Sequence, residues 1–228
     1  MVNVNNYQIL LSEEEWNDLD LEIGNNLEEM SFEVSQSKYN LLEMNNGKMS
    51  VDHWKNEFNQ KMLSISINYG YVYVYFKKLD GYDIYQKKDL EKIAYHYWFS
   101  YEVESLLYRL FTLVDNLVHI INVKYQLEIE ENLQFRKNVL SALESKNKDL
   151  FDCFKDAIKD DRYVTAQDVR NSFTHNHSPL SMTSGFVKQG QTITISKGKY
   201  SKPVEILGCI DEFINLLKEI TKECNKHL

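Results

Sequence analysis

The chain is predicted to be all-α, a helical bundle with an extra N-terminal helical layer and a small β-hairpin before its last helix. Three observations predict this. The 228 residues include only two Pro and eight Gly, too few breakers for the closely spaced turns of an all-β protein. Apolar residues make up 43% and aromatic residues 13%, ample for a buried core. Apolar side chains also recur at steps of three and four over long segments.

Ser12-Glu13-Glu14-Glu15 has the form of a capping box, and Trp16, Leu19, Ile23, Leu27, Met30 and Val34 then trace one amphipathic helix. Asn45-Asn46-Gly47 breaks the chain and Ser50 is placed to cap a second helix. Its period runs through Val51, Trp54, Phe58, Met62, Ile65, Tyr69, Val72, Phe76 and Leu79. Within it, the stretch from Ser64 to Phe76 is rich in Ile, Val and Tyr and also alternates like a strand. The helical period, sustained over the whole segment, decides for helix.

After Asp80-Gly81 comes the longest periodic segment. Leu90, Ile93, Tyr97, Tyr101, Leu107, Leu110, Val114, Leu117 and Ile121 read as one face of a helix from Asp89 to Tyr125. At the standard rise it would be about 55 Å long, the spine of the fold. Shorter helices follow over Phe135 to Leu143 and Leu150 to Lys159, and Thr165, with Asp168 three residues on, reads as the cap of the helix that carries Arg170. Phe186-Val187 and Ile193-Thr194-Ile195 flank Gln189-Gly190 as a hairpin. Pro203 suits the first turn of the last helix, whose stripe is Val204, Leu207, Ile210, Phe213, Ile214, Leu217, Ile220 and Cys224. The segment from Asp80 to Lys88 is the best candidate boundary, dividing a helical extension at 1–86, packed on the core, from a main domain at 87–228.

The net charge of −8 argues at first against a polyanionic partner. Its distribution alters that reading, because residues 1–86 carry 14 acidic and 6 basic side chains whereas 87–228 carry 20 of each. From Arg162 to Pro203, Arg162, Arg170, Lys188, Lys197, Lys199 and Lys202 face only Asp168, so this segment is locally basic. The N-terminus has no basic region followed by an apolar run, and no segment is read as a membrane span, so a cytoplasmic protein is expected. Cys153, Cys209 and Cys224 are odd in number and lack metal-ligand spacing, which points to buried free thiols. There is no glycine-rich phosphate loop, metal-ligand helix motif or serine nucleophile signature, and neither a metal nor another cofactor is expected.

The stretch Arg170-Asn171-Ser172-Phe173-Thr174-His175 sets a permanently charged guanidinium and a titratable imidazole five residues apart. Such a pair can act on a phosphodiester: the imidazole moves a proton and the guanidinium offsets charge building on the phosphate. Arg is scarce here, four residues against 22 Lys, so an Arg at this position is informative. Positions five apart on an ideal helix stand about 140° apart around the axis, so the two would diverge unless the helix ends between them. Pro179 predicts such an ending. The competing structural reading has Arg170 paired with an acidic neighbour and His175 capping carbonyls. His53, His96 and His119 read as partly buried structural histidines.

A long aromatic-rich helix opening with Tyr97-Trp98-Phe99-Ser100-Tyr101 and containing Asp115-Asn116, two short helices, a helix ending in Arg170-Asn171-Ser172-Phe173-Thr174-His175-Asn176, and a last amphipathic helix together resemble the HEPN superfamily. The resemblance covers roughly Lys87 to Asn225, with the motif matching the family's R-x4-6-H. It implies a HEPN-like bundle and a metal-independent ribonuclease working as a homodimer in toxin–antitoxin or antiviral defence. Arg170 and His175 are then catalytic, with Asn171 positioning by hydrogen bonds. Asn176 and His177 are accessory candidates, and Lys188, Lys197, Lys199 and Lys202 are candidate RNA contacts. In one branch of the superfamily a Tyr two residues after the motif His accepts a nucleotidyl group; here that position is His177, a departure from the pattern. Chemistry independently favours two chains, since cleavage through the ribose 2′-hydroxyl removes one proton and delivers another, and each chain holds a single motif His.

Two function classes follow. One is a dimeric endoribonuclease with RNA, a second copy and an antitoxin or other protein as partners, and no membrane. The other is a catalytically silent HEPN module that binds a nucleotide or a protein partner.

Overall fold

Asp89 starts the longest helix because its carboxylate accepts from the backbone N–H groups of Glu91 and Lys92, both at 3.1 Å, satisfying two donors of the first turn. The computed structural model describes residues 7–17, 19, 27, 30–34, 46–80, 89–175, 178–180, 184–189, 192–197 and 200–228; of these, the side chains of 46–50, 175, 184–189 and 192–197 are left undescribed. Six helices of nine residues or more and two strands lie among the described residues: α1 (Asn46–Lys78), α2 (Leu90–Lys124), α3 (Phe135–Leu143), α4 (Lys148–Lys159), α5 (Asp161–His175), β1 (Ser184–Gln189), β2 (Thr192–Lys197) and α6 (Pro203–His227).

The spine α2 spans the length its sequence predicts, and α1 packs along it. On α1 the residues Phe58, Met62, Ile65, Tyr69, Val72 and Tyr75 are all buried, a stripe with the helical period, and Leu79 just past its end is buried too. The stretch from Ser64 to Phe76 is therefore helix, and its strand propensity yields to a stripe that docks only at 3.6 residues per turn. Against α2 also lie α5 and α6. The residues Ile206, Leu207, Ile210, Phe213, Ile214, Leu217, Ile220 and Cys224 of α6 are buried in the same core as Leu106, Leu107, Leu110, Leu113, Val114 and Leu117 of α2. Polar ties run between the layers. The Tyr69 hydroxyl donates to the Asp211 carboxylate, and Lys61 Nζ donates to Asn116 Oδ1 at 2.6 Å.

Four expectations about helix bounds and faces are corrected. The first 13–17 turn is closed as expected, with Ser12 N donating to Glu15 Oε2 at 2.8 Å and Glu15 N to Ser12 Oγ at 3.3 Å. Yet residues 31–34 are not helical. Phe32 is buried edge-on against Phe58, and the Asn59 amide accepts from Phe32 N at 3.0 Å and donates to Phe32 O at 2.8 Å, standing in for helical bonds. Secondly, α1 begins at Asn46, which puts Ser50 inside the helix rather than at its cap. Thirdly, Thr165 lies inside α5. Asp160 starts that helix, its carboxylate accepting from Arg162 N at 2.8 Å and its carbonyl from Val164 N at 3.0 Å. Lastly, Leu90, Tyr97 and Tyr101 are 55, 50 and 56% exposed, not part of the buried face of α2. From Tyr101 to Leu107 is six residues, a turn of about 240°, which moves the pattern to the other side of the helix.

By length and composition α2 is apolar enough to cross a membrane, contrary to the expectation that no segment is, but 61% of its most apolar window is buried by the rest of the protein. Strands β1 and β2 pair antiparallel with register Ser184↔Lys197 through Gln189↔Thr192. Most of the candidate boundary, residues 81–88, lies outside the described residues.

His119 is half-buried, stacked on Trp54 at 4.1 Å and against Phe135 at 4.6 Å, and His96 is buried, as structural histidines. His53 is instead exposed beside Trp54. The three cysteines are free thiols, Cys224 buried and the other two half-buried. Burial pushes the His96 imidazole down to about 4, with the Tyr200 hydroxyl 3.4 Å from Nε2. A depressed histidine stabilises the fold above the unfolded value near 6.5, and that contribution is lost as pH falls from there to about 4, because only the unfolded chain takes up the proton. Chemical denaturation at pH 7 and pH 5 should show a smaller loss of stability for His96→Leu than for the wild type. An equal loss in both would contradict this assignment.

Candidate functional site

Tyr163 and Ala166 set the core-facing stripe of α5, buried at 1 and 0% exposure, and Arg170 continues that stripe one turn further on. A guanidinium therefore occupies a position whose neighbours are apolar. It lies over the ring of Phe111 from α2, with Cζ 4.7 Å from the ring centroid, an attraction of about 0.5–2 kcal/mol. Phe111 is held in turn edge-on by Tyr163 at 5.3 Å and against Phe213 at 4.7 Å.

The Arg170 guanidinium donates to Asn171 Oδ1 at 3.0 Å, and its Nε is buried with no hydrogen-bond partner among the described residues. Among the described residues no carboxylate pairs with it. Two of the other three arginines differ. Arg136 donates to Asp115 at 2.5 Å and to the Tyr163 hydroxyl at 2.6 Å, and Arg162 is clasped by Asp160 and Glu219, each at 2.8 Å. Arg109, which is exposed, donates to Ser105 Oγ at 3.3 Å. The reading that Arg170 pairs with an acidic neighbour finds no such pair among the described residues. A half-buried cation with an orphaned donor costs stability unless an anion arrives.

The helix does not end between Arg170 and His175, as Pro179 suggested; it continues to His175 as its last residue. Thr174 closes this last turn, donating to the Arg170 carbonyl at 3.1 Å, and its hydroxyl meets that of Tyr108 on α2 at 2.5 Å. These bonds hold the turn helical through the motif. Positions 170 and 175 of one chain consequently stand about 140° apart around the axis. The His175 side chain, Asn176, His177 and Lys199 lie outside what the structure describes.

Lys188 pairs with Ile193 and Lys197 with Ser184, positions that share one face of the ribbon. Lys202 is exposed at the N-cap of α6, its backbone N–H donating to Glu205 Oε2 at 2.9 Å. Ser201 N donates to the Pro179 carbonyl at 2.7 Å, which ties the segment just past the motif to the residue before Lys202. The two other motif-bearing residues of the spine have structural partners: exposed Asp115 holds Arg136, and buried Asn116 accepts from Lys61. Phe111, Tyr108 and Thr174 were not foreseen as site residues. Thr174 lies four residues after Arg170, a helical neighbour, but its partner on α2 is 66 residues away and leaves no local signal.

A family model described as HEPN_Cthe2314-like HEPN matches residues 25–226, a span that takes in α1 as well as the spine, the motif helix and α6 up to its last turn. No curated protein and no solved structure matches the chain.

Proposed function

The chain belongs to the HEPN_Cthe2314-like HEPN family, and from that membership we propose that it is a metal-independent endoribonuclease that works as a homodimer. The observation that carries this is Arg170: a guanidinium on the core stripe of α5, stacked on Phe111, without a carboxylate among the described residues, on a helix that ends at His175. An anion suits the open side of this cation, and a phosphodiester brings one whose two non-bridging oxygens match the paired donors of a planar guanidinium.

In the proposed reaction His175 takes the proton from a ribose 2′-hydroxyl, whose oxygen attacks the adjacent phosphorus as the bond to the 5′-oxygen breaks. The same residue of a second copy gives a proton to that departing oxygen. The products are a 2′,3′-cyclic phosphate and a 5′-hydroxyl, and Arg170 offsets the charge on the phosphate at the transition state. Asn171 positions the guanidinium. The divergence of positions 170 and 175 supports two chains, because a phosphate held by Arg170 is better served by an imidazole from across an interface. We further propose that Lys188, Lys197, Lys199 and Lys202 hold the RNA backbone, that residues 1–86 add a helical layer to a HEPN core at 87–228, and that the protein acts in the cytoplasm, in a toxin–antitoxin or defence role.

The net charge of −8 favours a second reading, a silent HEPN module that binds a nucleotide or a protein. Two measurements separate them. Light scattering at micromolar concentration should give a dimer, and the purified protein should fragment end-labelled RNA in EDTA. Folded, dimeric protein that leaves the RNA intact makes the silent module the better account.

A further inference from the structure

Tyr97, Tyr101 and Tyr108 of α2 are 50, 56 and 38% exposed and fall within about 40° of one another around the helix axis, so they form one line on the solvent side of the spine. Three large rings in register on a surface are a feature that needs an occupant. The line has a direction. It begins where Trp98 meets the edges of Tyr97 and Tyr101, with centroids 5.6 and 5.7 Å away, and ends at Tyr108, whose hydroxyl touches Thr174 on the motif helix. The contacts with Trp98 hold the first two rings in place, so a ligand stacking on them need not order them first.

We propose that this line is a stacking track for the unpaired bases of single-stranded RNA, leading the strand along α2 to Arg170; the proposal rests on the ribonuclease reading above. Charge favours nucleic acid as the occupant. At the motif end Arg170 is a cation without a carboxylate bond among the described residues, Asp115 is paired with Arg136, and Arg109 lies within electrostatic reach of Glu102. The carboxylates of Glu102 and Glu104 also border the line. Spacing agrees as well: Tyr97 and Tyr101 are separated by about 6 Å along the axis, near the reach of one extended nucleotide, and the track to Tyr108 is about 17 Å. Rings standing on a convex helix can meet splayed bases, while the bases of a duplex stay hidden in their own stack.

The test uses His175→Ala protein, so that bound RNA stays intact, and measures its affinity for a short labelled single strand and for a hairpin duplex of the same composition. Adding Tyr97→Ala and Tyr101→Ala should weaken binding of the single strand about tenfold per ring, as for other base–aromatic stacks, with little change for the duplex. Tyr97→Phe and Tyr101→Phe should bind as the parent does, since a ring is kept. Unchanged affinity in the alanine variant overturns the proposal. So does an alanine variant that turns monomeric and loses RNA only in proportion, which would make the line a contact between copies. Failure of the ribonuclease reading looks different: there the His175→Ala parent itself binds no RNA.

Discussion

Replacing His175 with alanine is expected to slow RNA cleavage by about 10²–10⁴-fold, the usual loss for a missing general acid or base. In the dimeric mechanism the substitution removes both proton carriers from each composite site, one that activates the 2′-oxygen and one that protonates the departing 5′-oxygen. Position 175 is the last residue of α5, so the packing of Tyr163 and Ala166 that seats the helix remains. Thermal unfolding and light scattering should therefore match the wild type. If His175 only caps carbonyls at the helix end, the melting temperature falls and the rate per folded protein does not.

Arg170→Lys should cost about 10²-fold or more in rate, comparable to losing one positioned donor at an oxyanion. An ammonium keeps the charge but neither lies flat on Phe111 nor presents two parallel donors to phosphate oxygens. Arg170→Met adds a sharper contrast. It removes a half-buried cation whose Nε has no partner among the described residues and leaves an apolar chain of similar length on an apolar stripe, so stability in urea should hold or rise while cleavage is lost. An arginine kept for structure predicts the reverse, a destabilised protein whose folded fraction cleaves normally.

The long helices were legible in the sequence because apolar residues recur at steps of three and four over many turns, as in the spine, whose bounds match the structure to within a residue. The errors arose where local pattern met tertiary contact. Tyr97 and Tyr101 keep helical spacing among themselves but are out of phase with Leu107, and a sum of threes and fours does not reveal a change of face. Thr165 and Ser50 are good caps by residue type, but Asp160 and the turn at Asn46 come first along the chain. At the site, Arg170 and Asn171 stood out by scarcity and motif. Their setting did not, because the ring of Phe111 and the hydroxyl of Tyr108 belong to a helix about sixty residues away and come into place only when α5 docks on α2.

The most direct test of the account is to compare an RNA oligonucleotide with one carrying a single 2′-deoxyribose at the cleavage position, both incubated with wild-type protein in EDTA and analysed by mass spectrometry. The ribonucleotide should yield a 2′,3′-cyclic phosphate and a 5′-hydroxyl, and the deoxy-substituted strand should stay whole there, because the attacking oxygen is gone. Cleavage of both strands at that position, or fragments ending in a 5′-phosphate, would contradict a mechanism built on Arg170 and His175.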